Sequence, residues 1–75
     1  MDINKFVADF AELFDDTDSS EIQVNTKFHE LEEWGSLIGM GLIAMAKTQY
    51  NKSISGKDIR DCETVMDLFK MITSR

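Results

Sequence analysis

The chain has 75 residues, 43% hydrophobic and 29% charged, with a net charge of −6, no proline and one cysteine. This length suffices for one small domain over residues 1–75, and the single cysteine excludes a disulfide framework and a cysteine-rich zinc site. The acidic balance argues against nucleic-acid binding, and no apolar run reaches the length of a membrane span. We expect a soluble cytoplasmic monomer without a signal peptide.

An amphipathic helix is predicted over residues 3–15. Its apolar residues recur at steps of three and four, as on one helix face: Ile3, Phe6, Val7, Phe10, Leu13 and Phe14. Residues 15–20 then break the pattern with aspartate, threonine and serine. These side chains compete for backbone hydrogen bonds, so a loop is expected there.

The segment after this loop is predicted to return toward the core. Ile22 and Val24 are its first apolar residues, and we expect both to turn inward. Thr26 is expected to cap a short turn that carries Phe28 and Leu31.

The second helix is predicted over residues 36–50, with Ser36 as its N-cap. Apolar side chains surround it almost completely: Leu37, Ile38, Met40, Leu42, Ile43, Ala44, Met45 and Ala46. Because a small chain cannot bury a helix on every side, we expect part of this surface to face a partner.

The last third of the chain carries two pairs with the spacing of a capping box, Ser55 with Asp58 and Thr64 with Asp67. Ile54 is expected to anchor the loop before the first pair. The final helix presents one apolar face: Val65, Leu68, Phe69 and Ile72. No strand-like alternation is found, so the predicted fold is all-α, a small bundle of three main helices plus short helical turns.

No self-contained active site is recognised, and we expect neither catalytic residues nor a metal site. Ser36 lies seven residues from His29, the only histidine, which has no evident orienting partner. Cys62 is flanked by Asp61 and Glu63, which disfavour a thiolate, and is interpreted as a small buried or half-buried side chain. The chain is therefore not expected to be an enzyme.

The charge is unevenly placed around Ser36. Residues 1–36 contain ten acidic residues and two lysines, whereas residues 37–75 contain four acidic and six basic residues. Ser36 thus follows an acidic segment and begins an apolar helix. On its residue chemistry alone, Ser36 is either the helix N-cap or an exposed hydroxyl presented to a modifying enzyme.

The chain resembles the acyl carrier proteins over nearly its whole length. The resemblance includes size, acidity, the helix–long loop–helix order and the stretch FHELEEWGSL at residues 28–37. Further matching positions are Leu42, Ile43, Tyr50, Ile54, Ile59 and residues 64–68.

In that family, a serine within Asp-Ser-Leu accepts 4′-phosphopantetheine from coenzyme A, so the resemblance places this attachment at Ser36. It implies an acyl-carrier-like bundle of three main helices and a short helical turn. It also implies a carrier that holds acyl intermediates as thioesters in fatty-acid, polyketide or related biosynthesis. The implied partners are a phosphopantetheinyl transferase and acyl-transferring or acyl-processing enzymes.

The chain departs from the family in two features. Gly35 stands where the family has aspartate, and the second helix lacks the usual acidic exposed face. Partner contacts are therefore expected to combine acidic and apolar residues: Glu32, Glu33, Leu37, Ile38, Met40, Gly41 and Ala44. The alternative is an unmodified, carrier-like helical interaction module that docks a partner through the apolar second helix.

Overall fold

Four α-helices build the computed structural model, which describes residues 2–75: α1 (Ile3–Ala11), α2 (Ser36–Tyr50), α3 (Gly56–Arg60) and α4 (Val65–Thr73). Two 3-10 turns, Ser19–Glu21 and Phe28–Glu30, lie in the long connection between α1 and α2. Within residues 2–75, the strand-like pairing is a single isolated bridge between Lys27 and Thr64. The predicted all-α class is confirmed.

Helix α1 is shorter than its apolar pattern predicts. Its N-cap is Asp2, whose carboxylate accepts a hydrogen bond from the Asn4 amide at 2.9 Å. After Ala11 the backbone tightens into i→i−3 hydrogen bonds, including Phe14 N–H to the Ala11 oxygen at 3.1 Å. The predicted end at residue 15 is therefore wrong, although Phe14 remains buried because the tightened turn keeps it facing the core.

Aromatic side chains form the centre of the core and attach the long connection to the helices. Phe6, Phe10 and Phe28 are fully buried. The Phe28 ring lies 6.1 Å from the Phe10 ring and 4.8 Å from the Trp34 ring, both edge-on. These contacts bring the segment before α2 against α1, which fixes where α2 begins.

The return of the connection to the core is only partly as predicted. Ile22 is buried as expected, but Val24 is 36% exposed and that prediction is wrong. The segment is held there by its backbone, because the Val24 and Thr26 carbonyl oxygens accept hydrogen bonds from the first amides of α4. Thr26 does not cap the Phe28–Glu30 turn. Its hydroxyl instead accepts from the Gln23 amide and donates to the Glu21 carbonyl oxygen.

Both predicted capping boxes are confirmed. The Ser55 hydroxyl accepts from the Asp58 amide at 3.2 Å, and the Asp58 carboxylate accepts from the Ser55 amide at 2.9 Å. The Thr64 and Asp67 pair repeats this arrangement at the start of α4. Ile54 is buried as expected. Among residues 2–75, no helix has the length and apolar character needed to cross a membrane.

Candidate functional site

Helix α2 begins at Ser36 with a glycine, not a serine, as its N-cap. Gly35 is extended, with φ −176° and ψ −173°, and its carbonyl oxygen accepts from the Gly39 amide at 3.0 Å. Ser36 is therefore the first helical residue, and the prediction that it is the N-cap is wrong. If Ser36 were the N-cap, the helix would begin at Leu37. The backbone instead takes up helical geometry at Ser36, one residue earlier.

This placement leaves the start of α2 without a side-chain cap. No side chain accepts a capping hydrogen bond there, and the Ser36 side chain is exposed. The first-turn amides therefore have no side-chain acceptor. Such a helix start favours an anion, since its free N–H groups and the helix dipole both stabilise negative charge.

A groove of about 480 Å³, which we call the Ser36 groove, opens beside this serine. The Phe28–Glu30 turn, the first half of α2 and helix α3 supply its walls. Its lining residues are His29, Trp34, Gly35, Ser36, Gly39, Met40, Ile43, Gly56, Ile59 and Arg60. Most of these are apolar or glycine, so the groove suits an apolar chain that starts near the Ser36 hydroxyl.

Two glycines, the N-cap Gly35 and Gly39 within α2, leave room at this groove. A Cβ atom at Gly35 would meet nothing within 4 Å. A Cβ at Gly39 would lie 3.9 Å from the Trp34 ring, an ordinary contact distance. A side chain is therefore sterically possible at either position, and at Gly39 it would occupy part of the groove.

His29 lines the same groove as Ser36, and its ring is positioned by one hydrogen bond and by contact with Phe28. Its Nε2–H donates to the Cys62 carbonyl oxygen at 3.1 Å, and its ring centroid is 4.2 Å from that of Phe28. The imidazole thereby links the turn before α2 to the connection between α3 and α4. Cys62 is buried as predicted, and burial raises the pKa of its thiol.

Glu33, which is predicted as a partner contact, holds the loop after α1 in place. Its carboxylate accepts from the amides of Asp15 at 2.8 Å and Asp16 at 2.9 Å, and from the Thr17 hydroxyl at 2.8 Å. The Asp15 hydrogen bond is the main cause that lowers the pKa of Glu33. Three hydrogen-bond donors of the loop, two amides and one hydroxyl, thus already bind this carboxylate. Glu32, its neighbour, is exposed.

The expected apolar contact residues separate into two groups. Leu37 is 80% exposed and Met40 is 65% exposed, and Ala44 lies on the same exposed side of α2. We call these three residues the exposed α2 face. Ile38 is only 8% exposed and packs in the core, so its prediction as a surface contact is wrong. Its position on the helix turns it toward the interior together with Leu42.

Gly41 lies at the edge of the exposed α2 face, where α2 meets the end of α1. A Cβ atom at Gly41 would come within 3.2 Å of Leu13 Cδ2, which is tighter than an ordinary contact. Gly41 is half-buried. Its main effect is to let α2 pack closely against Leu13, and it offers little surface to a partner.

Within residues 2–75, no group of three or more histidine, cysteine, aspartate or glutamate side chains is arranged to hold a metal ion. No protein-family model, curated protein or solved structure matches this chain.

Proposed function

We propose that this protein is an acyl carrier in which the Ser36 hydroxyl accepts 4′-phosphopantetheine from coenzyme A. The observation that carries the proposal is the start of α2. Ser36 is exposed and is the first residue of a helix whose N-cap has no side chain. Its hydroxyl is not used for capping and remains accessible to a modifying enzyme.

The attachment is a simple group transfer. The Ser36 oxygen forms a bond to the phosphorus that carries the pantetheine, and the pyrophosphate bond of coenzyme A breaks. Adenosine 3′,5′-bisphosphate leaves, and the hydroxyl proton passes to a base of the transferase. The amides of the first turn of α2, which have no side-chain acceptor, then stabilise the phosphodiester.

The attached arm supplies a thiol that carries acyl groups as thioesters between enzymes. A flexible tether keeps the carried group at high local concentration near each partner's active site. The apolar lining of the Ser36 groove, with Trp34, Ile43 and Ile59, suits shelter of an acyl chain. In this account the chain binds and presents cargo, and the partner enzymes perform the chemistry in fatty-acid, polyketide or related biosynthesis.

The exposed α2 face supplies the surface for those partners. Leu37 and Met40 give it an apolar centre, and the exposed Glu32 lies just before the helix. We expect partner enzymes to present an apolar patch with basic residues at its rim, because the charges then attract and orient the carrier.

The test is incubation with coenzyme A and a broad-specificity phosphopantetheinyl transferase, followed by intact-protein mass spectrometry. The unaltered protein should gain the mass of one phosphopantetheine group, and Ser36→Ala should gain none. Ser53→Ala is the matched control, since Ser53 is also exposed but lies in the loop after α2, and it should be modified normally.

Gly35→Asp distinguishes two reasons for which the unaltered protein could fail to be modified: it has no attachment site, or the transferase recognises it poorly. If only the Gly35→Asp protein is modified, the site is competent but the natural glycine weakens recognition. If neither protein is modified under forcing conditions, the proposal is wrong.

The second candidate is an unmodified interaction module. The one observation that favours it is the exposure of Leu37 and Met40. It predicts that Ser36→Ala leaves partner binding unchanged, whereas Leu37→Lys abolishes it. A carrier predicts that Ser36→Ala also removes the thioester-linked species from the partner complex.

A further inference from the structure

Among the lysines and arginines of residues 2–75, Arg60 alone lines the Ser36 groove. The ion pairs found within residues 2–75 are Lys5 with Asp9, Lys57 with Asp61 and Arg75 with Asp58, so the Arg60 guanidinium is in none of them. A mostly apolar groove therefore contains a guanidinium that has no carboxylate partner among residues 2–75. Such a group favours an anionic ligand.

The guanidinium lies on the α3 wall of the groove. A Cβ atom at Gly56 would be 3.4 Å from Arg60 Nη1, so the side chain folds back along α3 toward its first turn. Ser36 is on the opposite element, at the start of α2. Ser36 and Arg60 therefore line the same groove from two different helices, so a chain attached through Ser36 that folds back into the groove would meet both the apolar lining and Arg60.

We propose that Arg60 makes the Ser36 groove selective for acyl groups that end in a carboxylate. This inference rests on the proposed attachment of the arm at Ser36. The walls formed by Trp34, Ile43 and Ile59 would cover the methylene groups, and the planar guanidinium would hold the terminal carboxylate. The phosphodiester of the arm has its own donors in the first turn of α2, which leaves Arg60 for the cargo.

The test compares two cargoes of equal carbon count. The transferase is used to load the protein with hexanoyl or adipoyl phosphopantetheine from the corresponding coenzyme A esters, and thermal unfolding is measured at low salt. The adipoyl form should melt about 2–5 °C above the hexanoyl form, the size expected for one solvent-accessible ion pair. Emission from Trp34, the only tryptophan, reports whether each chain enters the groove.

Two variants separate Arg60 from general charge. Arg60→Gln should abolish the difference between the adipoyl and hexanoyl forms. Lys57→Gln removes one positive charge from the same helix, but Lys57 is paired with Asp61 and does not line the groove. It should therefore leave the difference intact.

Three results would overturn the selectivity. The two cargoes could stabilise the protein equally, or their difference could persist in Arg60→Gln. Alternatively, the arm without cargo could give the full Arg60-dependent shift, which would assign the guanidinium to the phosphodiester.

Failure of loading would count against the proposed function and not against Arg60. In that case, Ser36→Cys in a Cys62→Ala background is alkylated with equal chains that end in a methyl group or a carboxylate. A carboxylate-specific gain in melting temperature that Arg60→Gln removes supports the selectivity, and an equal gain for both chains overturns it.

Discussion

Gly35 is the residue that determines how helix α2 begins. Its backbone is extended, in a region open to any residue, and the space around its Cβ position is empty. A side chain there would meet no steric obstacle and could accept a hydrogen bond from the first turn. The glycine thus leaves unsatisfied the amides that the proposed phosphodiester would use.

Gly35→Asp is expected to stabilise the unmodified protein by about 0.3–1 kcal/mol, since aspartate caps better than glycine and its charge suits the helix dipole. Urea unfolding of the purified protein measures this difference. Gly35→Ala is the matched control and should be less stable than the natural protein, because alanine has no capping acceptor. If aspartate gave no gain over glycine, the start of α2 would not be as described.

Asp58 is expected to contribute to the loss of stability in acid. Its hydrogen bond from Arg75, at 2.6 Å, is the main cause that lowers its pKa to about 2 from the ordinary value of 3.8. Because the pKa is lower in the folded state, this stabilisation is present above about pH 4 and is lost as the pH falls toward 2.

Unfolding free energy measured from pH 7 to pH 2 checks this expectation. Asp58→Asn should lower stability at pH 7 and flatten the curve between pH 4 and pH 2. Arg75→Gln should move the acid limb toward pH 4, because the aspartate then loses its main partner. An unchanged acid limb in both variants would contradict the role given to this pair.

At the scale of the elements, Glu33 joins two segments that are distant in sequence. Its carboxylate gathers donors 16 to 18 residues earlier in the chain, just after α1. This contact fixes the loop beside the start of α2, and so it helps to set the position of Ser36. This geometry supports a role for Glu33 in the fold.

Glu33→Gln should release this loop, because an amide oxygen is a weaker acceptor than a carboxylate and offers fewer sites. Hydrogen exchange at the amides of Asp15 and Asp16 should become faster. Glu32→Gln is the matched control, since Glu32 is adjacent and exposed, and it should leave that exchange unaltered. Equal exchange rates in all three proteins would show that the loop does not depend on Glu33.

The glycines within α2 offer a paired comparison. Gly39→Ala should stabilise the protein by about 0.5–1 kcal/mol, because alanine is the better helix former and its Cβ would make an ordinary contact with Trp34. Gly41→Ala should gain less or lose stability, since its Cβ would come within 3.2 Å of Leu13. Equal gains in thermal unfolding would contradict the close approach assigned to Gly41.

At the scale of the whole molecule, the features that sequence predicts are those with local causes. The apolar spacing of α4 and both capping boxes depend on residues three or four positions apart, so the pattern alone identifies them. The shortened α1, the exposed Val24 and the role of Glu33 depend on contacts between distant segments. No local pattern carries that information.

The candidate site shows the same division. The sequence identifies Ser36 at the start of an apolar helix, but the choice between cap and exposed hydroxyl depends on where the backbone enters the helix. Ile38 and Leu37 are equally apolar neighbours, and only packing shows that one is buried and the other exposed. No local pattern identifies Arg60, because it lies 24 residues after Ser36 and reaches the groove only through the placement of α3.

The most direct test of the carrier assignment is mass spectrometry of the protein isolated from its own cells. Trypsin should release residues 28–47 as one peptide, between Lys27 and Lys47, and Ser36 is its only serine, threonine or tyrosine. We predict that this peptide carries one phosphopantetheine group. Native protein in which the peptide is wholly unmodified, and which still copurifies with a stoichiometric partner, would contradict it.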